Sequence, residues 1–134
     1  MKNYKGKNAI WLILVFVIYN LLPILFHIGT PFTFTPFLIV TFIIYYACNI
    51  IWIPILFRNH IELYSDHFIF YYGFQKETIK LQDIIKIEKS RNAIASSANS
   101  LDRIHIITKQ NDFYVSLKDN DDFIQEIDVR RIRQ

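Results

Sequence analysis

The first half of the chain contains one long stretch without a single charged side chain. Between Lys7 and Arg58 there is no Asp, Glu, Lys or Arg, and most residues are Ile, Leu, Val, Phe, Trp or Tyr. A continuous helix of this length, at about 1.5 Å per residue, would extend roughly 75 Å, whereas the hydrocarbon core of a bilayer is only about 30 Å thick. The stretch therefore predicts a membrane protein whose apolar segment folds back on itself.

A cluster of glycine, proline and threonine at Gly29–Pro36 marks the expected fold-back. It divides the stretch into Ala9–Ile28 and Phe37–Phe57, each about as long as the roughly 20 residues that a span requires. The prediction is a two-helix transmembrane hairpin with spans at about 9–28 and 37–57. A cleaved signal peptide is the alternative, but the stretch is too long and no small-x-small cleavage pattern follows it.

Charges at the ends of the stretch predict its orientation. Lys2, Lys5 and Lys7 precede the first span and Arg58 follows the second, while the connecting turn has no cation. The positive-inside rule then places both termini in the cytoplasm. All twelve acidic residues and twelve of the fifteen Lys and Arg residues follow Phe57, so the net charge of +3 comes from the three lysines. This distribution predicts contact with the lipid bilayer and no nucleic-acid partner.

Polar side chains within the apolar stretch predict helix pairing. Asn49 is expected to hydrogen-bond across the hairpin to Asn20 or to a threonine hydroxyl, because a polar group in lipid needs a partner on the neighbouring helix. A transport role is less consistent with the pattern, since two spans enclose no pore. Cys48 is the only cysteine, so no internal disulfide is possible.

After Arg58 the apolar residues alternate with a period of two. Phe68, Phe70, Tyr72 and Phe74 fall on one side, and Ile69 and Tyr71 on the other, which predicts a strand. Breaks at Ser65-Asp66 and Gly73 indicate a three-strand meander. The expected strands are Ile61–Tyr64, Phe68–Tyr72 and Glu77–Leu81, followed by a segment from Ile84 and two strands containing Ile104, Ile106, Phe113, Val115 and Leu117.

The last segment predicts a helix. Asp119 or Asn120 can cap its N-terminus, and the carboxylates of Asp121 and Asp122 suit its first turn. Strands followed by one helix predict an α+β fold: a small barrel or sandwich over residues 59–134, capped by that helix and preceded by the transmembrane hairpin at 1–58. The residues expected to form the buried stripe of the helix are Phe123, Ile124 and Ile127.

The segment Ser97–Ile106, together with Val115–Asp119 and Phe123-Ile124, resembles the YyaB-like bacterial pleckstrin-homology (PH) family. The resemblance covers roughly Ile61 to Ile127 and implies a PH-like barrel. Its most specific part is a Ser-Leu-Asp-Arg block that enters a strand. The chain departs from the family pattern at two positions, Asn99 and Leu117, where an apolar residue and a proline are usual.

The Ser-Leu-Asp-Arg block, which consists of Ser100, Leu101, Asp102 and Arg103, is the candidate site. Neighbours on a strand point to opposite faces, so Asp102 and Arg103 are poorly placed to share a ligand. A scaffold role is therefore favoured over a contact site. In that role Ser100 and Asp102 accept hydrogen bonds from backbone donors, and Arg103 pairs with a carboxylate or carbonyl across the sheet.

The resemblance also implies a function. Members with a membrane hairpin before the domain are similar to bacteriocin immunity proteins, which protect a producer against its own toxin, here of the sublancin type. The partners would be the bacteriocin peptide or its membrane target. The alternative is a tethered module that binds a lipid headgroup or peptide, or scaffolds a membrane complex.

An enzyme is the least supported class. The sequence has no phosphate-cradling glycine loop, and its four histidines lack metal-ligand spacing. Ser100, Asp102 and His105 suggest a triad, but nothing in their spacing supplies an oxyanion hole. The sequence therefore predicts no catalytic residue, no metal and no cofactor.

Overall fold

A computed structural model describes residues 1–29, 33, 35–93 and 98–133. Residues 30–32 and 34 of the predicted turn, and Ser97 at the start of the resembling segment, lie outside the described residues. The helices are α1 (Ile10–Leu25), α2 (Pro36–Ala47), α3 (Asn49–Phe57) and α4 (Asn120–Ile132). The strands are β1 (Lys2–Lys5), β2 (Asn59–Leu63), β3 (His67–Tyr72), β4 (Gln75–Lys80), β5 (Ile84–Ser90), β6 (Arg103–Thr108) and β7 (Asp112–Val115).

Helices α1, α2 and α3 form a helical hairpin. The hydroxyl of Thr35 accepts a hydrogen bond from the amide of Leu38 and so caps α2, with Pro36 in the first turn. Helices α2 and α3 meet at Cys48 and together make an apolar unit of 22 residues, Pro36–Phe57. Among the described helices this unit alone is long and apolar enough to cross a membrane, because α1 has 16 residues.

Polar groups join the two arms of the helical hairpin. The amide of Asn49 donates to Oδ1 of Asn20 at 2.7 Å, and the amide of Asn20 donates to Oδ1 of Asn49 at 3.3 Å. The predicted pairing across the hairpin is therefore confirmed. Next to it the rings of Tyr19 and Tyr45 stack with centroids 4.4 Å apart, and each hydroxyl donates to the backbone carbonyl of the other residue at 2.6 Å.

Seven strands and α4 form the sheet domain, an α+β fold. One antiparallel sheet has the order β1-β2-β3-β4, and the second has the order β5-β6-β7. The alternation of apolar residues correctly predicts β2 and β3, since Ile61, Leu63 and Phe68 face the core and are fully buried. The predicted strand Glu77–Leu81 corresponds to β4, which begins two residues earlier and ends at Lys80. The α+β fold with a terminal helix that the sequence predicts is confirmed, and its strands form two sheets.

The predicted C-terminal helix is confirmed as α4. It begins at Asn120 and carries Asp121 and Asp122 in its first turn. Its apolar stripe packs into the sheet domain, where Phe123 and Ile127 are completely buried. The ring of Phe123 meets that of Phe68 edge-on at 5.8 Å between centroids, so α4 closes one side of the core.

Strand β1 is an unexpected edge of the first sheet. It lies before the helical hairpin but pairs antiparallel with β2, which lies after it, with Lys2 opposite Leu63. Its central residue, Tyr4, is 4% exposed and packs on Phe123. Burial and the neighbouring Asp122 carboxylate raise the pKa of Tyr4 to about 12.

The sequence predicts a hairpin at 1–58 and a separate domain at 59–134. In the structure the first range also contains strand β1, which belongs to the sheet domain. Because β1 and β2 are neighbours, the helical hairpin is an insertion between two adjacent strands. Its two ends leave and re-enter the sheet domain side by side, with the amide of Gly6 donating to the carbonyl of Asn59 at 2.7 Å.

Candidate functional site

The candidate site lies where the helical hairpin joins the sheet domain. We call this region the junction: residues 5–9, 55–60, 99–103 and 116–120. Four separate stretches meet here because β1 and β2 bring both ends of the hairpin together. The amides of Lys7 and Lys118 donate to the carbonyls of Ser116 and Lys5, which ties β1 to the segment after β7 and links the two sheets.

Asn99 connects its own stretch of the junction to both ends of the helical hairpin. Its amide donates to Oδ1 of Asn8 at 2.7 Å and to the carbonyl of Ile55 at 2.9 Å. Its Oδ1 accepts from the hydroxyl of Tyr72 at 2.8 Å, and its backbone carbonyl accepts from the amide of Ala9 at 2.9 Å. An apolar residue could not make the side-chain bonds, so the departure from the resembled pattern at Asn99 has a structural reason.

Asn8 completes the connection. Its amide donates to the carbonyl of Leu56 at 2.7 Å, near the end of α3. The start of α1 and the end of α3 are thus hydrogen-bonded to each other through Asn8 and to the sheet domain through Asn99. Because both asparagines are at least partly buried, each lost bond would leave a desolvated polar group unpaired.

Ser100 and Arg103 hold the loop that enters β6. The carbonyl of Ser100 accepts from Nε of Arg103 at 2.8 Å and from the hydroxyl of Ser116 at 3.0 Å. Arg103 is 4% exposed, and one of its terminal amines faces the carbonyl of Ala98 at 3.5 Å. Its partners are carbonyls of the preceding loop rather than groups across the sheet, which differs in detail from the expectation.

Asp102 points to solvent and joins the junction electrostatically. Its Oδ2 lies 2.7 Å from Nζ of Lys7, and its Oδ1 accepts from the amide of Asn120 at 3.1 Å. The hydrogen bond from Lys7 holds the pKa of the Asp102 carboxyl below its ordinary value. The expected backbone bond is made by Ser100 instead, whose hydroxyl accepts from the amide of Asp102. Leu101 is 51% exposed.

The structure therefore brings three of the four block residues together and leaves Leu101 at the surface. Buried Arg103 and exposed Asp102 face opposite ways and share no contact that would form a pocket. The contacts of Asp102 with Lys7 and Asn120, and of Ser100 with Ser116, favour the scaffold interpretation of the Ser-Leu-Asp-Arg block.

The side chains of the suggested triad bond to groups outside a triad arrangement. Nε2 of His105 lies 3.0 Å from Oδ2 of Asp112, and its ring stacks on Tyr114 at 4.3 Å. The hydroxyl of Ser100 is bonded to the amide of Asp102. Across the described residues, no group of three or more His, Cys, Asp and Glu side chains is placed to hold a metal ion.

A cleft of about 580 Å³ opens on the outer side of the junction. Lys5, Asn59 and Lys118 line its domain side, whereas Ile13 and Phe57 line its helical side. Asn59 is 7% exposed, and neither polar atom of its side chain has a hydrogen-bond partner within the described ranges. Gly6 leaves room for that amide, since a Cβ there would lie 2.5 Å from its nitrogen.

Cations at the junction differ in how they are paired. Lys2 lies 2.7 Å from Asp122 and Lys7 lies 2.7 Å from Asp102. In the part of the chain that the structure describes, Lys5 and Lys118 have no carboxylate within 4.0 Å. Two of the three lysines expected at the bilayer therefore neutralise carboxylates of the sheet domain, and Lys5 faces the cleft.

The family of the sheet domain follows from a match to a family model described as Bacterial PH domain, which spans residues 60–131. The chain belongs to this family. The match begins at His60, after β1 and the helical hairpin, so both features lie outside the shared core. No curated protein and no solved structure gives a significant match to the chain.

The sequence does not predict the cleft. Lys5, Asn59 and Lys118 lie far apart in the sequence, and only the pairing of β1 with β2 brings them together. The one local signal is the alternation around Tyr4 in Lys2–Lys5, which is too short to predict a strand by itself.

Proposed function

We propose that this chain is a membrane-anchored PH-domain protein that protects a bacteriocin producer by binding the toxin or its membrane target. Support for the immunity role comes from the resemblance to YyaB-like proteins with a membrane hairpin, and the toxin would be of the sublancin type. Support for the anchored arrangement comes from the junction, which fixes both ends of the helical hairpin to the sheet domain.

The pairing of β1 with β2 carries the topological part of the proposal. If the 22-residue unit Pro36–Phe57 crosses a bilayer, the chain must cross again, because the strands on either side of the hairpin belong to one sheet. Helix α1 is the other apolar helix between those strands among the described residues. At about 1.5 Å per residue its 16 residues span roughly 24 Å, and the following turn residues would complete the crossing.

The surface of the helical hairpin also supports insertion. Helix α2 has no buried residue, and large side chains such as Phe37, Ile43 and Ile50 are more than 60% exposed. An apolar surface of this extent is unusual for a protein in water and typical of one in lipid. By the positive-inside rule, Lys2, Lys5, Lys7 and Arg58 then favour a cytoplasmic sheet domain.

A protection assay tests the immunity role. A sensitive bacterium that expresses the full-length chain is exposed to a panel of bacteriocins that includes a sublancin-type peptide. The control replaces residues 8–57 with an Asn-Gly turn, which retains β1 and joins it directly to β2. We expect full-length protein to raise the inhibitory concentration and the hairpin-free variant, at equal abundance, to protect poorly because tethering is lost.

Two results would contradict parts of this proposal. Unchanged sensitivity to every bacteriocin, with the protein abundant and membrane-bound, would reject immunity. Equal protection by the hairpin-free variant would show that anchoring is unnecessary.

The second candidate function is a tethered module that binds a lipid headgroup or peptide, or that scaffolds a complex. The observation that favours ligand binding is the cleft, where Lys5 and Lys118 have no carboxylate within 4.0 Å among the described residues. A chain that binds a ligand at the junction but fails the protection assay would have this function instead.

A further inference from the structure

The two sheets have four outer strands among the described residues, and three of these edges are protected against a further strand. The edge of β1 is tied to the segment after β7, because the amide of Lys118 donates to the carbonyl of Lys5. Strand β5 has an irregularity in its register between Ile84 and Lys86, and β7 has only four residues. Bulges and short strands are two common ways in which proteins prevent pairing at an edge.

Strand β4 is the open edge. It runs for six residues, Gln75–Lys80, and pairs with β3 along its whole length without a break in register. Its residues are exposed apart from Ile79, which is buried. The backbone of an outer strand presents a row of N–H and C=O groups that point away from its neighbour. Within the described ranges nothing beyond β3 bonds to these groups of β4, so they are available to an added strand.

Lys76 and Lys80 lie on the outward face of β4. Side chains alternate along a strand, so these two lysines and Thr78 share one face. The intervening Ile79 is on the other face and is buried in the core. At about 3.3 Å per residue, the two lysines are roughly 13 Å apart along the strand.

The charges of these two lysines are not compensated. Neither has a carboxylate within 4.0 Å in the part of the chain that the structure describes, whereas Lys86 of β5 and Lys109 after β6 lie 2.6 Å and 3.5 Å from one. The ammonium of Lys76 lies instead over the ring of Tyr71, at 5.6 Å from its centroid. Opposite charges directly across two strands attract each other, so carboxylates on an added strand would compensate both lysines.

The spacing of the lysines favours a peptide over a membrane surface. The turn between β3 and β4 lies against the helical hairpin, since a Cβ at Gly73 would lie 3.2 Å from Cγ1 of Ile55 in α3. Lys76 is therefore near the helices, and Lys80 is roughly 13 Å further along the strand. In the proposed anchored arrangement the bilayer acts more weakly on Lys80, because the Debye length at physiological salt is about 8 Å. An extended chain alongside β4 reaches both lysines.

We propose that the open edge of β4 binds an extended acidic segment of a partner protein, which adds a strand to the first sheet. Main-chain hydrogen bonds to β4 supply the affinity, and side chains on the face of Lys76 and Lys80 supply the specificity. The segment carries two Asp or Glu residues four positions apart, because that spacing places a carboxylate opposite each lysine on one face. A β-branched residue between them lies opposite Thr78.

This site is separate from the cleft at the junction. The choice of a peptide over a lipid rests on the proposed membrane anchoring. The site itself holds whether or not the protein confers immunity.

Peptide binding to the full-length protein in phosphatidylcholine nanodiscs, measured by fluorescence anisotropy, tests the site. The labelled probe is Thr-Glu-Val-Thr-Val-Glu-Thr, whose glutamates are four positions apart. Its order of side chains is the same in both directions, so parallel and antiparallel pairing are both allowed. The control peptide, Thr-Glu-Val-Thr-Glu-Val-Thr, has the same composition, but its glutamates are three positions apart and point to opposite faces of a strand.

Two protein variants accompany the peptides. Lys76→Gln/Lys80→Gln removes both cations of the β4 face. Lys86→Gln/Lys109→Gln is the matched control, because it removes the same charge from exposed positions beside the second sheet.

We expect the probe to bind the wild-type protein and the control variant alike. The Lys76→Gln/Lys80→Gln variant should bind it on the order of tenfold more weakly, because two cross-strand charge pairs are lost. The control peptide should bind the wild-type protein more weakly than the probe does. Replacement of a third of the lipid by phosphatidylglycerol should leave the affinity for the probe nearly unchanged.

N-methylation of the probe tests strand addition directly. A strand turns every second residue's N–H toward its neighbour, so there are two alternate sets of amides. Methylation of one set should abolish binding, and methylation of the other set should leave it intact.

Five results would overturn the inference. Absence of binding at millimolar probe would show that the edge does not accept an acidic strand. Undiminished binding by Lys76→Gln/Lys80→Gln would place the peptide elsewhere. Equal binding of the two peptides would mean a non-specific cationic surface. Equal effects of the two methylation patterns would exclude strand addition. Loss of binding in phosphatidylglycerol nanodiscs would show that the bilayer occupies this face. No bacteriocin enters the assay, so its failure and the failure of the immunity proposal are separate results.

Discussion

The helical hairpin and the sheet domain are built in opposite ways. In the sheet domain the side chains of Phe68, Phe123 and Ile104 are fully buried, and among the described charged residues Arg103 alone is buried with them. In the hairpin the apolar side chains point outward, and the contacts between its arms include the polar pair Asn20 and Asn49. Water drives the first arrangement through the hydrophobic effect, whereas the second pairs polar groups as helices do in lipid.

Each arrangement predicts where a substitution is costly. In the sheet domain the packing of apolar side chains carries the stability. In the helical hairpin, truncation of an outward-facing apolar side chain removes little protein contact, and the polar pair matters instead. The junction depends on hydrogen bonds between the two regions.

The largest expected effect is loss of core packing. Phe68→Ala should lower the free energy of unfolding of the sheet domain by about 3–5 kcal/mol, because it leaves a cavity among fully buried side chains. Ile43→Ala, at a position 64% exposed on the hairpin, is the matched control and should cost far less. Chemical denaturation of both variants in detergent measures the difference. Equal costs would show that the hairpin face is packed against protein.

The next effect concerns the Ser-Leu-Asp-Arg block. Arg103→Ala should lower stability by roughly 2–3 kcal/mol, because the carbonyls of Ser100 and Ala98 lose a buried charged donor. Cellular abundance should fall, and protection should fall in proportion. Arg91→Ala, at an exposed arginine, is the control. If Arg103→Ala leaves stability and abundance unchanged but abolishes protection or binding, Arg103 belongs to a contact site.

A smaller effect is expected inside the helical hairpin. Asn20→Leu and Asn49→Leu should each destabilise the pairing of its arms, with a coupling energy of about 0.5–1.5 kcal/mol in a double-mutant cycle. Thr41→Val serves as the control, because the hydroxyl of Thr41 bonds to Phe37 of its own helix. Thermal unfolding in detergent provides the measurement, and strictly additive losses would mean that the pair is not coupled.

The smallest effect is electrostatic. Because Lys7 lowers the folded-state pKa of Asp102, the ion pair stabilises the protein above the ordinary carboxyl pKa and is lost as pH falls through the folded-state value. The contribution should stay below about 1 kcal/mol, since both groups are well exposed. Asp102→Asn should flatten the stability profile in this acidic range relative to wild type. Identical profiles for wild type and Asp102→Asn would remove the pair from the energetics.

Local sequence patterns predict the parts of this fold that depend on neighbouring residues. Alternation in Phe68–Tyr72 predicts β3, and an acidic first turn with an apolar stripe predicts α4. The predicted cap is not made, because Asp119 stands at the N-cap without a side-chain hydrogen bond to the helix. The pairing of Asn49 with Asn20 can be predicted because a polar residue in an apolar segment has few possible partners.

Non-local contacts explain what those patterns miss. Strand β1 has four residues and one buried side chain, Tyr4, and its partner strand lies beyond the whole helical hairpin. The position of Asn59 in the cleft depends on that pairing. Asn99 marks a departure from the resembled pattern in the sequence, but its bond to Asn8 becomes visible only when both hairpin ends are placed.

Cross-linking of β1 to β2 tests the central claim that the helical hairpin is inserted between two adjacent strands. Asn3 and Glu62 are directly opposite each other, so cysteines at these positions have Cα atoms close enough for a disulfide. In a Cys48→Ser background, oxidation of membranes that contain the Asn3→Cys/Glu62→Cys variant should give an intramolecular disulfide in high yield. The Asn3→Cys/Thr78→Cys control, two strands further along the sheet, should give none. Absence of the first cross-link, or equal yields for the two pairs, would contradict the insertion.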